Sequence, residues 1–174
     1  MSAEYVTAFE GTRKIASGPI AEVALAIKGR QVLVFDDATG GQVEIDTSGS
    51  DADILKRLKK ETRGRGRPKI GVTAREVTLL PRHWDWLNEQ PGGASAVIRR
   101  LVDEARRTGG DKDAKRASQT AAYRFMTAMA GNEPDYDDAI RALFAGKKAE
   151  MEKLIDPWPG NIRDHILKLS AGAF

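Results

Sequence analysis

The chain of 174 residues is long enough for one ordinary domain or for two to three small modules. It is 41% hydrophobic, 30% charged and 6% aromatic, which allows a core of modest size. The lack of cysteine excludes disulfides, thiolate chemistry and cysteine-ligated zinc, and no apolar run approaches the roughly 20 residues of a membrane span. Because the N-terminus has no basic and apolar leader, we expect a protein of the bacterial cytoplasm without a membrane partner.

Positive charge is concentrated in one segment of the chain. The net charge is +3, but residues 56–75 hold nine basic groups and one acidic group, a net charge of +8. Residues 1–55 carry a net charge of −5, and the rest of the chain is balanced. A surplus confined to one segment predicts contact with a polyanion, because neutralising several phosphates there gives strongly salt-dependent affinity.

Residues 1–60 predict a small α/β module. The expected elements are a strand at 5–9, a helix that starts around Ser17-Gly18-Pro19 and carries an apolar stripe to Ile27, a hairpin formed by 31–35 and 43–45, and a helix that Ser50 or Asp51 caps. Asp36 and Asp37 lie in the hairpin turn, where adjacent carboxylates favour turn chemistry over metal binding.

Arginine alternates with glycine in the predicted linker of residues 61–75. Because glycine removes side-chain bulk, an extended backbone fits deep in a groove, and a narrow A·T-rich minor groove attracts arginine. The tract resembles an AT-hook, the minor-groove motif of the high-mobility-group A proteins. The residues expected to contact DNA are Arg63, Arg65, Gly66, Arg67, Pro68 and Lys69. The alternative is a solvated basic linker.

Residues 76–108 predict a strand, a helix, a tight turn and a second helix. A strand at 76–80 stops at Pro81, the first helix is expected to bury Trp84 and Leu87, and the second carries an apolar face from Val97 to Ala105. Such a unit of about 33 residues buries its apolar surface poorly alone. We therefore expect it to need a partner.

This order of elements resembles the ribbon-helix-helix fold. In that fold two protomers pair their strands into one antiparallel ribbon in the major groove. The resemblance rests on the Leu80-Pro81 junction, the Trp84/Leu87 spacing and the turn before the second helix. It implies a homodimer in which the backbone amides of Gly93, Ala94 and Ser95 hold a DNA phosphate. A helical hairpin packed within one chain is the alternative.

The predicted strand has a poor face for reading bases. Period-two alternation places Val77 with Arg75 on one face and Glu76, Thr78 and Leu80 on the other. Of the second face, Thr78 alone suits the major groove. We therefore expect this strand to serve dimerisation more than base readout, with Arg75 and Thr78 as its DNA contacts.

Residues 112–174 predict a helical module after a break at Thr108–Asp111. Helices are expected to end at Gly131 and Gly146, and Asn161 is expected to cap the last one. Asp135, Asp137 and Asp138 are interpreted as helix-start charges. Several short helices in succession favour a bundle that serves protein interaction. Together with the N-terminal α/β module, this bundle makes the predicted fold class α+β.

Over nearly its full length the chain resembles an uncharacterised bacterial family, domain-of-unknown-function family 2239. The segments that carry this resemblance are Thr7–Thr12, Phe35–Gly40, Gly66–Val72 and Arg75–Arg107. The resemblance implies no activity.

The sequence shows no recognisable catalytic apparatus. It has no phosphate-binding glycine loop and no nucleophile elbow, and His83 and His165 are too far apart for metal-ligand spacing. We expect no enzyme, no metal and no cofactor, but a dimeric DNA-binding protein of the nucleoid or of transcription regulation with an A·T-rich preference. The alternatives are an adaptor or antitoxin-like protein, RNA binding through the same tract, and an enzyme that uses Asp36 and Asp37.

Overall fold

The computed structural model describes residues 4–61 and 75–174, except for the side chains of residues 60 and 61. The chain divides into two compact units. Unit 1 combines residues 1–64 with residues 114–174, and unit 2 consists of residues 65–113. The expected tract residues Arg63, Arg65, Gly66, Arg67, Pro68 and Lys69 lie outside the described residues.

Unit 1 contains a four-stranded antiparallel sheet. Its strands are β1 (Tyr5–Glu10), β2 (Arg13–Pro19), β3 (Leu33–Asp36) and β4 (Gln42–Val43), in the order β2-β1-β3-β4. Alternate residues of β1 enter two different cores: Val6 and Ala8 on one face, and Phe9 on the other. Both faces of β1 are therefore buried.

Two helices from the first part of the chain lie on one side of this sheet. Helix α1 (Ile20–Ala26) packs its buried Val23 against Val6 and Ala8, and α2 (Asp51–Glu61) packs against α1. Ser50 caps α2: its hydroxyl accepts the Asp53 N–H at 3.3 Å, and the Asp53 carboxylate accepts the Ser50 N–H at 3.0 Å.

The later part of the chain is helical. The elements are α3 (Pro81–Glu89), α4 (Gly93–Ala130), α5 (Tyr136–Ala145), α6 (Lys148–Ile155), α7 (Gly160–Leu169) and a 3-10 turn at Ser170–Gly172. In unit 1, Phe125 of α4 packs on the sheet with its ring centroid 5.3 Å from Phe9 and 4.9 Å from Phe35. The sheet thus shares its largest core with α4 to α7.

The hairpin turn makes a close contact with α4 at Gly40. This residue has a left-handed backbone, with φ of +64°, and a Cβ at this position would overlap the backbone of Ala121. Arg124 of α4 also donates to the Thr39 carbonyl at 3.5 Å. A glycine is therefore required here for two separate reasons, the backbone conformation and the space.

The predicted α+β class is confirmed, as are the strand at 5–9, the hairpin and the helix capped by Ser50. The predicted helix with the apolar stripe to Ile27 is confirmed as α1, but it begins at Ile20 because Ser17, Gly18 and Pro19 end β2. Residues 1–60 and 112–174, predicted as two modules, share one core, because Phe9 and Phe35 are buried against Phe125.

Two predictions in the later part of the chain are also corrected. The break at Thr108–Asp111 is absent, because α4 runs through both glycines. Asn161 does not cap α7, because the residue at that position is Pro159. Instead, the Asn161 amide oxygen accepts the Lys14 N–H at 2.9 Å, beside the bulge where β2 pairs irregularly with β1.

Within the described residues, no helix is long and apolar enough to cross a membrane.

Candidate nucleic-acid interface

Residues 76–80, where the sequence predicts a strand, form no regular element in the described chain. The four-stranded sheet does not include them, and a strand needs a neighbour to satisfy its backbone groups. Leu80 is nevertheless extended, with φ of −66° and ψ of 150°. Arg75 and Thr78 are both exposed, so both remain accessible to a ligand.

Helix α3 leaves part of its apolar surface exposed. Pro81 occupies its first turn, as predicted, and Leu87 is buried, but Trp84 is 37% exposed and Trp86 is 47% exposed. The prediction that Trp84 is buried is therefore wrong for the single chain. Tryptophan is enriched at protein interfaces, so the exposed part of each ring is suited to contact with a further surface.

The turn between α3 and α4 satisfies only part of the phosphate-site prediction. Gly92 and Gly93 have φ of +89° and +75°, and the Gly93 N–H donates to the Gln90 carbonyl at 3.2 Å. That amide is already used within the turn, so Gly93 does not fit the predicted role. Ala94 and Ser95 lie in the first helical turn, where backbone N–H groups have no partner within the helix.

The part of α4 in unit 2 has two opposite faces. Residues 94, 97, 98, 101, 102 and 105 recur at helical spacing and form an apolar face, on which Val97 is buried while Leu101 and Val102 are exposed. The opposite side carries a shallow groove lined by Ala96, Arg99, Arg100, Asp103 and Arg107. We call this side the arginine face. The residues of this face recur at intervals of three, four and seven positions. This spacing is visible in the sequence, but the predicted sites above do not include it.

Sequence reasoning also missed a polar cluster in unit 1. The Asp37 carboxylate accepts the Thr7 hydroxyl at 2.7 Å and the Lys168 ammonium at 2.7 Å, and the Thr7 and Ser17 hydroxyls are 2.9 Å apart. Asp37 and Lys168 are 131 residues apart, so no local pattern relates them. Asp36 accepts the Ala38 N–H at 2.8 Å, which confirms its interpretation as a turn residue.

His165 lies beside this cluster and is neutral at pH 7. Its Nε2 is 3.8 Å from the Asp37 carboxylate, beyond hydrogen-bond distance, and has no hydrogen-bond partner among the described residues. Burial lowers the pKa of His165 to about 4 even though Asp37 opposes the shift. The Thr7 hydroxyl is directed to Asp37 rather than to the imidazole, so the cluster connects β1 with α7 without aligning a nucleophile with this ring.

No metal site accompanies this cluster in the described ranges, since no group of three or more histidine, aspartate or glutamate side chains is placed to hold an ion there.

Neither the curated proteins nor the solved structures give a significant match to the chain. The profile of a family described as "Uncharacterized protein conserved in bacteria (DUF2239)" matches residues 5–170, which span the sheet, the basic tract and the seven helices of the described residues. The chain therefore belongs to this bacterial family, DUF2239.

Proposed function

We propose that this protein is a DNA-binding homodimer without enzymatic activity, acting in the bacterial cytoplasm as a transcription regulator or nucleoid-associated protein. In this proposal the tract of residues 63–69 enters the minor groove of A·T-rich DNA. Unit 2 forms the dimer and contacts the DNA backbone through Arg75, Thr78 and the first turn of α4.

The exposed apolar surface of unit 2 is the observation that carries the dimer. In residues 75–113, the buried hydrophobic side chains are Leu87 and Val97. Six large apolar side chains of the same segment are between 37% and 55% exposed: Val77, Leu80, Trp84, Trp86, Leu101 and Val102. Burying a fully exposed side chain of this size is worth about 1.5–3 kcal/mol, so covering the exposed third to half of each of these side chains contributes about 0.5–1.5 kcal/mol.

A second copy of the chain fits this surface better than an unrelated protein. Residues 76–80 before α3, of which Leu80 has extended backbone angles, have no strand partner among the described residues, and the same residues of a second copy supply one around a twofold axis. The pairing also brings the two apolar faces of α4 together. The order of extended segment, helix and helix is the one that this arrangement uses.

The charge of the tract supports DNA as the ligand. Within residues 63–69 every charged side chain is basic, and the tract lies just before the proposed dimer segment. A dimer carries two tracts, and engaging both raises the overall affinity without any new contact. Arginine between glycines suits a narrow minor groove, from which the expected A·T preference follows.

The dimer is tested by the mass of the full chain in solution. We expect light scattering to give twice the chain mass, and Leu101→Gln with Val102→Gln to shift the equilibrium toward the monomer. The matched control is Phe144→Gln in α5, because Phe144 is 49% exposed but lies in unit 1. A wild-type monomer at all accessible concentrations would contradict the dimer.

DNA binding is tested by titrating A·T-rich and G·C-rich duplexes across a range of salt concentrations. Replacing Arg65 and Arg67 with alanine is expected to weaken binding and to reduce the slope of log K against log salt by about 2 for each tract engaged, since each phosphate neutralised contributes about 0.9. An unchanged slope overturns the role of the tract. Equal affinity for the two duplexes overturns the A·T preference.

The same apolar surface also fits an adaptor or antitoxin-like role, with another protein in place of the second copy. In that case the tract is a linker, the purified chain carries no nucleic acid, and neither duplex binds at low salt. RNA binding through the tract is separated by competition, because RNA then displaces the duplex at lower concentrations than DNA does. Each of these results would contradict a different part of the proposal.

A further inference from the structure

We infer that the arginine face of α4 is a second binding surface for a nucleic-acid backbone, with Arg99, Arg100 and Arg107 as its phosphate contacts. The inference deepens the proposed function and rests on it. It assigns to nucleic acid three residues that lie in the described part of unit 2, separate from the basic tract.

The arginines of this face form no ion pair with a carboxylate among the described residues. The ion pairs of the described residues all lie in residues 4–61 and 114–174, so Arg99, Arg100 and Arg107 take part in none of them. Arg99 donates its Nε–H to the Ser95 carbonyl at 3.1 Å, which leaves its two terminal nitrogens free to bind an anion. Exposed arginine without an acidic partner is suited to bidentate contacts with phosphate.

The helix geometry keeps these arginines accessible in a dimer. The apolar face that a second copy covers and the arginine face lie on opposite sides of α4, so burying the first leaves the second in solvent. Asp103 lies among the three arginines, which leaves the face with a net charge of +2. That charge is local, since the described residues 75–113 hold as many acidic as basic groups.

The spacing of the arginines matches an extended ligand rather than a single ion. Arg100 and Arg107 are two helical turns apart, which at 1.5 Å per residue places their Cα atoms about 10.5 Å from each other along the axis. This distance equals about three base-pair steps at 3.4 Å each. A nucleic-acid backbone offers several phosphates over that length, whereas a single phosphate group contacts one end of the face.

The test compares variants of the full chain in DNA titrations across salt. Arg99→Gln, Arg100→Gln and Arg107→Gln together are expected to reduce the slope of log K against log salt by about 2 to 3 for each arginine face that contacts DNA. The matched control is Lys147→Gln, Lys148→Gln and Lys153→Gln, which removes the same charge near and within α6 of unit 1 and is expected to leave the slope almost unchanged. The variant with lysine at all three arginine positions keeps the charge and is expected to retain the slope.

The outcomes separate this inference from the proposed function. If the wild-type chain binds no duplex at 50 mM salt, DNA binding itself fails and this inference fails with it. If the wild-type chain binds and Arg65→Ala with Arg67→Ala weakens it, but the glutamine variant keeps the wild-type slope, this inference alone is overturned. If the glutamine variant also alters the mass in solution, the lysine variant decides: a recovered slope supports the contact, and an unrecovered one overturns it. If the wild-type chain binds polyglutamate as tightly as it binds the DNA duplex, the assignment of this face to phosphate is overturned.

Discussion

At the scale of single residues, the contact between the hairpin turn and α4 depends on Gly40. We expect Gly40→Ala to lower the free energy of unfolding by about 2 to 4 kcal/mol, because the methyl group meets the backbone of Ala121 and the backbone is left-handed. The measurement is a urea unfolding curve of each variant.

Two other glycines separate the causes of that loss. Gly29 has φ of +73° and open space around its Cβ position, so Gly29→Ala measures the cost of the backbone conformation alone, about 1 kcal/mol. Gly41 lacks a positive φ, and its nearest neighbour is the Thr39 hydroxyl at 3.5 Å, so Gly41→Ala is expected to be nearly neutral. Equal losses for Gly40→Ala and Gly29→Ala would contradict the close contact.

His165 makes stability depend on pH. Its pKa is about 4 in the folded chain against 6.5 as the ordinary value, so the unfolded chain binds the proton more readily. The stability that the neutral ring confers is complete above pH 6.5 and is lost as the pH falls toward 4. Between pH 7.5 and pH 5 we expect a loss of about 2 kcal/mol from this residue.

The variant His165→Phe isolates this effect. Phenylalanine keeps the edge contacts with Phe9 and Phe125 but has no group that titrates. Urea midpoints measured at pH 7.5 and pH 5 are expected to change less for the variant than for the wild type. The same pH dependence in both chains would assign the acid sensitivity to other groups.

At the scale of elements, the continuity of α4 through Gly109 and Gly110 has a direct test. In a continuous helix, Gly110→Ala is expected to stabilise unit 2 by about 0.5–1 kcal/mol, because nothing lies within 4 Å of its Cβ position. Gly110→Pro is expected to cost about 3 kcal/mol. Circular dichroism at 222 nm during thermal unfolding measures both. A stabilising effect of the proline variant would restore the predicted break.

The elements that the sequence predicts well are those with strong local patterns. The capped start of α2 at Ser50 and the hairpin around Asp36 follow from residue types a few positions apart. β2 was missed because residues 13–19 are polar and contain Gly-Pro, and they form a strand only because β1 pairs with them at the edge of the sheet. Tertiary pairing of this kind leaves no local signal.

The candidate sites also divide into those with a local sequence pattern and those formed only by tertiary packing. The arginine face of α4 has a helical period and could be read from the sequence, as the basic tract was. The cluster around Asp37 could not, because Thr7, Asp37 and Lys168 are brought together by the packing of α7 on the sheet. The free Gly93 amide that the phosphate prediction required is used by the turn itself, a detail of the backbone that residue types do not specify.

At the scale of the whole molecule, Phe125 joins the two halves of unit 1. It is fully buried and contacts Phe9, Phe35 and His165, so Phe125→Ala is expected to cost about 3–5 kcal/mol. Because the sheet and the helices share this core, we expect hydrogen exchange to accelerate together in β1 and α7. Tyr123→Ala, 40% exposed on the same helix, is the control and is expected to have a much smaller effect. Faster exchange in only one half would indicate two independent modules.

The shared core of unit 1 also sets an order of events during synthesis. The ribosome delivers Asp37 131 residues before Lys168, and at about 5–20 residues per second this delay is roughly 7 to 26 s. Phe9 and Phe35 stay uncovered until Phe125 and the later helices have been made, and residues 65–113 are complete before that point. The early sheet therefore waits for its core while residues 65–113 are made, which leaves Phe9 and Phe35 open to aggregation during synthesis.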